Sequence, residues 1–174
     1  GQWPFWQIGE GAFARGRGYY FTKNGEKAEA DLQLALANEP DTRTQFSIRT
    51  MMAHNRESNL GDDDGALELY RANYEGKERI GGAEEFRSVG RAAAMLSKQG
   101  KHEEALAAFQ VVDFEKQTGF WLHEMLISRG KALAAAGRND EADECFRRVT
   151  EDESALETHR KRAAEALAAN SRQQ

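Results

Sequence analysis

Arg129-Gly-Lys-Ala-Leu-Ala-Ala-Ala-Gly-Arg-Asn-Asp-Glu-Ala142 is the stretch on which the reading of the fold turns. Gly137 stands at its centre. Gly130 and Leu133 precede it by seven and four residues, and Ala142 and Phe146 follow it by five and nine. Offsets of three, four and seven fall on one face of an α-helix. A small residue lets a neighbouring helix approach, and a large one a turn away fills the gap beside it. A glycine between two such runs ends the first helix, because left-handed backbone is cheap for glycine alone.

Working outward, the same frame recurs. Gly25, Gly61, Gly100 and Gly137 are separated by 36, 39 and 37 residues. The fifth residue after each is alanine: Ala30, Ala66, Ala105 and Ala142. The ninth is Leu34, Tyr70, Phe109 or Phe146, and the twelfth Ala37, Asn73, Val112 or Val149. Seven residues before each glycine stand Gly18, His54, Ala93 and Gly130, and four before stand Phe21, Glu57, Leu96 and Leu133. The second unit breaks the small–bulky rule with His54 and Glu57. The chain therefore reads as all-α, built from about four helix pairs. Ser154 to Asn170 reads as a further helix, whose narrow apolar stripe of Leu156, Ala163, Ala164 and Leu167 suits a terminal cap.

This unit resembles the tetratricopeptide repeat, on the evidence of residues 17–30, 98–106 and 129–142. The resemblance covers roughly residues 12–150 and implies a right-handed α-solenoid closed by a C-terminal capping helix. The expected organisation of the 174-residue chain is a single domain. An aromatic N-terminal segment at 1–11 leads into repeats at 12–40, 41–76 (divergent), 84–114 and 119–151, with the cap at 153–170. The family's period of about 34 residues is exceeded here. Of the expected closing prolines only Pro40 is present. Gly76, Gly81 and Gly82 predict a longer connection between the second and third units.

Composition agrees with helix: two prolines, 40% hydrophobic and 30% charged residues. A formal charge of -5 lacks the basic surplus that phosphate backbones attract, so nucleic acid is not the expected partner. No run approaches the roughly 20 apolar residues of a membrane span, and no basic region followed by an apolar core opens the chain. The chain has the length of one domain and is expected to be part of a longer protein.

Catalytic and metal motifs fail on inspection. His123-Glu124 and His102-Glu103 each begin like a zinc-protease helix, but Ile127 and Leu106 stand where the second histidine belongs. Asp62-Asp63-Asp64-Gly65 has Leu60 at the first place of a calcium loop, and reads as a turn capping a helix N-terminus. Cys145, beside Phe146, reads as a packing residue. No cofactor and no catalysis are expected within the chain.

The resemblance implies that the first helix of each pair lines a concave groove. Counted from the four glycines, the groove places include Arg15, Tyr19, Lys23, Met52, Asn55, Arg91, Lys98 and Lys131, with Arg87 one turn before Arg91. Six of these nine are basic and none is acidic. A protein or peptide partner of acidic character is therefore expected. Trp3, Phe5 and Trp6 are costly to leave in water, at roughly 1.5–3 kcal/mol for each large side chain. They either cover the open apolar end of the first repeat, enter the groove, or join two copies of the chain. Self-association, or a role as a helical appendage to a catalytic domain elsewhere in the parent chain, stands as the alternative to partner binding.

Overall fold

The computed structural model describes residues 5–76 and 82–172, with 5 and 6 as backbone alone. Trp3 and the side chains of Phe5 and Trp6, on which the expected cover or self-association surface rests, lie outside the described residues. So does Gly81 of the expected connection. Among the described residues all regular structure is helical and no strand occurs. The helices are α1 Phe5–Phe21, α2 Gly25–Ala37, α3 Thr42–Asn55, α4 Asp63–Tyr74, α5 Ala83–Lys98, α6 His102–Ala107, α7 Gly119–Ala135, α8 Asn139–Thr150 and α9 Glu157–Asn170. A π-turn, Arg56–Leu60, extends α3, and a 3-10 turn, Ala108–Val111, extends α6. The chain divides into two compact units, Gly1–Ser88 and Val89–Gln174, the boundary falling within α5. In the first, α2 packs on α1, α3 on α2, and α4 on α3. In the second, α7 packs on α6 and α8 on α7, while α9 packs on both α8 and α7.

The helix-ending turns fix the frame, and they correct the sequence reading in the first pair. Gly61, Gly100 and Gly137 are left-handed at φ 67°, 77° and 74°. The fourth left-handed turn falls on Lys23, φ 58°, not on Gly25. Counted from Lys23, the spacings become 38, 39 and 37 residues. The fifth residues are then Ala28, Ala66, Ala105 and Ala142, each 0% exposed. Leu32, Tyr70, Phe109 and Phe146 follow at the ninth place and Ala35, Asn73, Val112 and Val149 at the twelfth, all buried. The expected Ala30, Leu34 and Ala37 are exposed. Gly25 instead opens α2 in a place where a Cβ would lie 2.7 Å from Leu60 Cδ2.

Small faces large across the first and last helix pairs. A Cβ on Gly130 would sit 2.5 Å from Phe146 Cε1, and one on Gly16 would sit 3.0 Å from Leu32 Cγ. Those contacts set how closely α7 approaches α8 and α1 approaches α2. Each buried Leu or Phe so covered contributes about 1.5–3 kcal/mol.

The turns close by a shared hydrogen-bond pattern. Asn24 N donates to Tyr19 O, Lys101 N to Leu96 O and Arg138 N to Leu133 O, each at 2.9 Å. Lys23 N to Tyr20 O at 3.0 Å, Gly100 N to Ser97 O at 3.1 Å and Gly137 N to Ala134 O at 3.0 Å complete Schellman motifs. The second pair differs. There Asp62 N reaches one residue further back, to Arg56 O, because the π-turn carries a surplus residue. The places upstream shift by one, so buried Ala53 takes the small position expected of His54. Glu57 accepts a hydrogen bond from Tyr70 Oη at 3.1 Å.

Two acidic residues cap helix N-termini, Asp62 as the sequence predicts and Asp41 in addition. Asp62 Oδ1 accepts from Gly65 N at 2.9 Å at the head of α4, and Asp41 Oδ2 from Thr44 N at 2.7 Å at the head of α3. The face of α9 differs from the expected stripe. His159, Ala163 and Asn170 are buried, Ala166 and Leu167 half-buried, and Leu156 and Ala164 exposed. Polar residues thus take two places on the face that packs against α7 and α8.

Candidate functional site

The first unit does not present the basic groove that the sequence predicts. Arg15 is held bidentately by Asp31, Nε to Oδ2 at 2.5 Å and Nη2 to Oδ1 at 2.6 Å. The hydrogen bond from Arg15 lowers the Asp31 carboxyl, and the same bond raises the guanidinium. Tyr19 is half-buried with the Lys27 ammonium 5.6 Å from its ring centroid. Lys23 occupies the left-handed turn. Met52 and Asn55 are buried in the core, which corrects their assignment to an open face. The surplus residue of the π-turn rotates the upstream part of α3, and this turns Met52 inward. Asn55 Nδ2 donates to Gly25 O at 2.9 Å.

Counted from Lys23, the same offsets select Phe13, Ala14, Arg17, Tyr20 and Phe21 on α1. Phe13 and Tyr20 are half-buried, and both pack on the core formed by Ala12, Ala28, Leu32 and Ile48. Met51 of α3 packs there too. Phe21 is 69% exposed, and its ring meets that of Tyr20 edge-on at 5.1 Å. The Arg17 guanidinium lies 5.8 Å from the Phe13 ring centroid. This face is aromatic with one cation rather than basic. Arg87, also in the first unit, is exposed and paired with Glu84 at 2.9 Å.

The second unit differs. Arg91 and Lys98 are exposed on α5. Lys131 and Ala134, groove places on α7, line an open cavity of about 220 Å³. Its other walls are Ala166, Ala169 and Asn170 of α9, with Phe146 of α8. Asn170, 3% exposed, donates through Nδ2 to Asn139 O at 3.0 Å and Asp143 Oδ1 at 2.7 Å. Both partners are acceptors, so the amide orientation is fixed, and Oδ1 is left buried with no hydrogen-bond partner. The sequence reading gave α9 only the role of a cap. The signal it passed over is Asn170 itself, a polar residue on the buried face of a helix.

A second cluster joins α7 to α9. His123, 1% exposed, pairs with Asp152 at 2.8 Å. His159, 2% exposed, pairs with Glu124 at 2.9 Å, and Arg162 also binds Glu124. The two imidazole centroids are 5.7 Å apart, and Phe120 lies edge-on to His159 at 4.9 Å. Hydrogen bonds from Ser154 and then His123 hold the Asp152 carboxyl at about 2. Burial pushes Glu124 up, but Arg162 and His159 outweigh it and leave the carboxyl below its ordinary range. Nothing in the sequence pairs these histidines with carboxylates, because their partners lie 29 and 35 residues away. Among the described residues no three His, Cys, Asp or Glu side chains gather to hold a metal ion. Each imidazole has its own carboxylate, an arrangement that fastens helices together. Cys145 is packed in the core with Phe146 and Val149, and burial raises its thiol above the usual range.

No helix among the described residues is long and apolar enough to cross a membrane. Comparison of the chain with protein-family models, with curated proteins and with solved structures finds no match.

Proposed function

We propose that this chain is a helical-repeat module of right-handed solenoid type, akin to the tetratricopeptide repeat, and that it works by holding a segment of a partner protein without catalysis. The repeat reading is supported by the fourfold register of Lys23, Gly61, Gly100 and Gly137, each followed at the fifth place by a fully buried alanine. The binding reading rests on one observation above all: the open cavity where Lys131 and Ala134 of α7 meet Ala166 and Ala169 of α9. A cavity with mostly apolar walls and a few polar groups is the usual form of a recognition site. The module would serve as one part of a longer protein, delivering the partner to whatever the rest of that protein does.

The test is site-specific photocrosslinking. A photoreactive residue at position 134 and, separately, one at Gln110 as an exposed control are introduced into the full chain. A single partner recovered from position 134 and not from 110, which then binds the purified chain, supports the proposal. Identical recovery from both positions removes it.

Self-association is the second reading, favoured by the exposure of Phe21 beside Phe13 and Tyr20. Light scattering of the wild type and of Phe21→Ser checks it. A dimer that the substitution dissolves supports this reading, and a monomer in both removes it.

A further inference from the structure

The cavity of the second unit has a filled counterpart in the first. Gly16 faces Leu32 as Gly130 faces Phe146, and Ala28 and Ala142 hold the fifth place after their turns. Helices α7 and α8 therefore correspond to α1 and α2. Asn55 of α3 and Asn170 of α9 each donate to the carbonyl two places beyond the left-handed turn, so α9 corresponds to α3. In this register Ala134 stands for Tyr20, Ala166 for Met51 and Lys131 for Arg17. Tyr20 and Met51 pack against the core of the first unit. In the second unit both places end at a methyl group, and both line the open cavity. Phe146 is larger than its counterpart Leu32 and takes back only part of the room. The cation differs in the same way. The Arg17 guanidinium lies 5.8 Å from the centroid of the Phe13 ring. The counterpart of Phe13 is Ile127, which is 0% exposed and has no ring to offer Lys131.

We infer that the cavity receives one aromatic side chain of the partner protein, a ring of tyrosine type. The ring takes the room that Tyr20 and Met51 fill in the first unit, against Phe146, Ala134 and Ala166. Lys131 then gains the ring that Arg17 finds within its own helix. A cation near the face of an aromatic ring is attracted by its quadrupole. A tyrosine also suits an open cavity, because its body is apolar and its hydroxyl can stay in water. An aliphatic side chain of the same size fills the room but offers nothing to Lys131. This inference rests on the partner-holding reading and names the group by which the partner is anchored. The chain's own first unit supplies the pattern for the missing group.

The test uses the full chain, labelled with nitrogen-15, and two probes. Para-cresol is the tyrosine side chain alone, and methylcyclohexanol is its saturated counterpart without a π face. Fragments of this size bind weakly, so amide shifts are followed into the millimolar range. The expected result is a set of shifts centred on Lys131, Ala134, Ala166 and Ala169. Para-cresol should bind about two- to fivefold tighter than methylcyclohexanol, the margin that one exposed cation–π contact gives. Lys131→Gln, at an exposed position, should erase that margin. Ala166→Met should restore the filling seen in the first unit and weaken both probes. Equal affinity for the two probes, shifts that map elsewhere, no shifts at all, or binding unchanged by Ala166→Met overturns the inference. If para-cresol fails while a partner still crosslinks from position 134, the ring assignment is wrong and the holding role stands. If para-cresol binds and no partner crosslinks, the holding role fails, and with it the assignment of the ring to a protein.

Discussion

Asn55 and Asn170 make the same attachment in two different units. Each reaches from one helix to the residue two places after a left-handed turn and to the carboxylate six places after it. Asn55 Nδ2 meets Gly25 O at 2.9 Å and Glu29 Oε2 at 3.4 Å, beyond the turn at Lys23. Asn170 Nδ2 meets Asn139 O at 3.0 Å and Asp143 Oδ1 at 2.7 Å, beyond the turn at Gly137. By this measure α9 stands to α8 as α3 stands to α2. It is placed as the first helix of a further pair, and its cap-like polarity is a matter of surface alone. Replacing Asn170 with alanine should cost about 1–3 kcal/mol, because Asp143 loses a buried donor. Amide exchange should quicken in α9 well before α7. Unchanged urea unfolding and unchanged exchange in α9 would remove the clamp from the account.

Lys23→Gly should stabilise the chain. A non-glycine residue in the left-handed region costs about 1–2 kcal/mol, and Lys23 is exposed there. Part of that gain is offset by the greater freedom of glycine in the unfolded chain. A rise of about 0.5–1 kcal/mol in urea unfolding is expected. A loss of stability would show that the Lys23 side chain is needed at the turn.

Gly130→Ala and Gly18→Ala should move in opposite directions, although both substitutions add a methyl group to a helix. At Gly18 nothing lies within 4 Å of the new Cβ, so the higher helix propensity of alanine should add about 0.5–1 kcal/mol. At Gly130 the new Cβ falls 2.5 Å from a ring atom of Phe146, and overpacking should cost about 1–3 kcal/mol. Thermal unfolding of the two variants decides it. The packing argument falls if both changes stabilise.

The attachment of α9 should weaken in strong acid. Asp152 and Glu124 have carboxyls depressed in the folded state, Asp152 to about 2. A depressed carboxyl contributes stability above its unfolded value, near 3.9 for Asp and 4.3 for Glu, and loses it as pH falls through the folded value. The loss therefore falls between about pH 4 and pH 2. Asp152→Asn should flatten the stability profile in that window. Unfolding curves at pH 2.5, 4 and 7 check this, and a slope equal to wild type's would show that Asp152 is not responsible.

The helix pairs were legible in the sequence because alanine five places and a bulky residue nine places after a turn obey simple helical geometry. The frame of the first pair was not. Gly25 is the obvious helix stop by composition, yet the left-handed residue is Lys23, held there by the same hydrogen bonds that glycine makes elsewhere. The departure at His54 was visible, but its cause was not, since a π-turn has no composition of its own. Polar anchors such as Asn55, Asn73 and Asn170 look like surface residues until their buried acceptors are seen. Asn73, for instance, donates to Phe46 O at 3.2 Å and Thr50 Oγ1 at 3.0 Å. Of the residues that line the cavity, Lys131 stands at a place its offset picks out. The walls supplied by α9 do not, because they depend on which face of that helix turns inward.

The Arg56–Leu60 turn has a bearing on how such a chain changes length. A single added residue is taken up inside one widened coil, and the downstream Gly61, Ala66 and Tyr70 keep their phase. Insertions of one are usually ruinous in a helix, because they swing every later side chain by about 100°. Here the swing stops at the end of the same helix. Sequences that align with this chain only after a one-residue gap near position 58 can therefore share its interior unaltered.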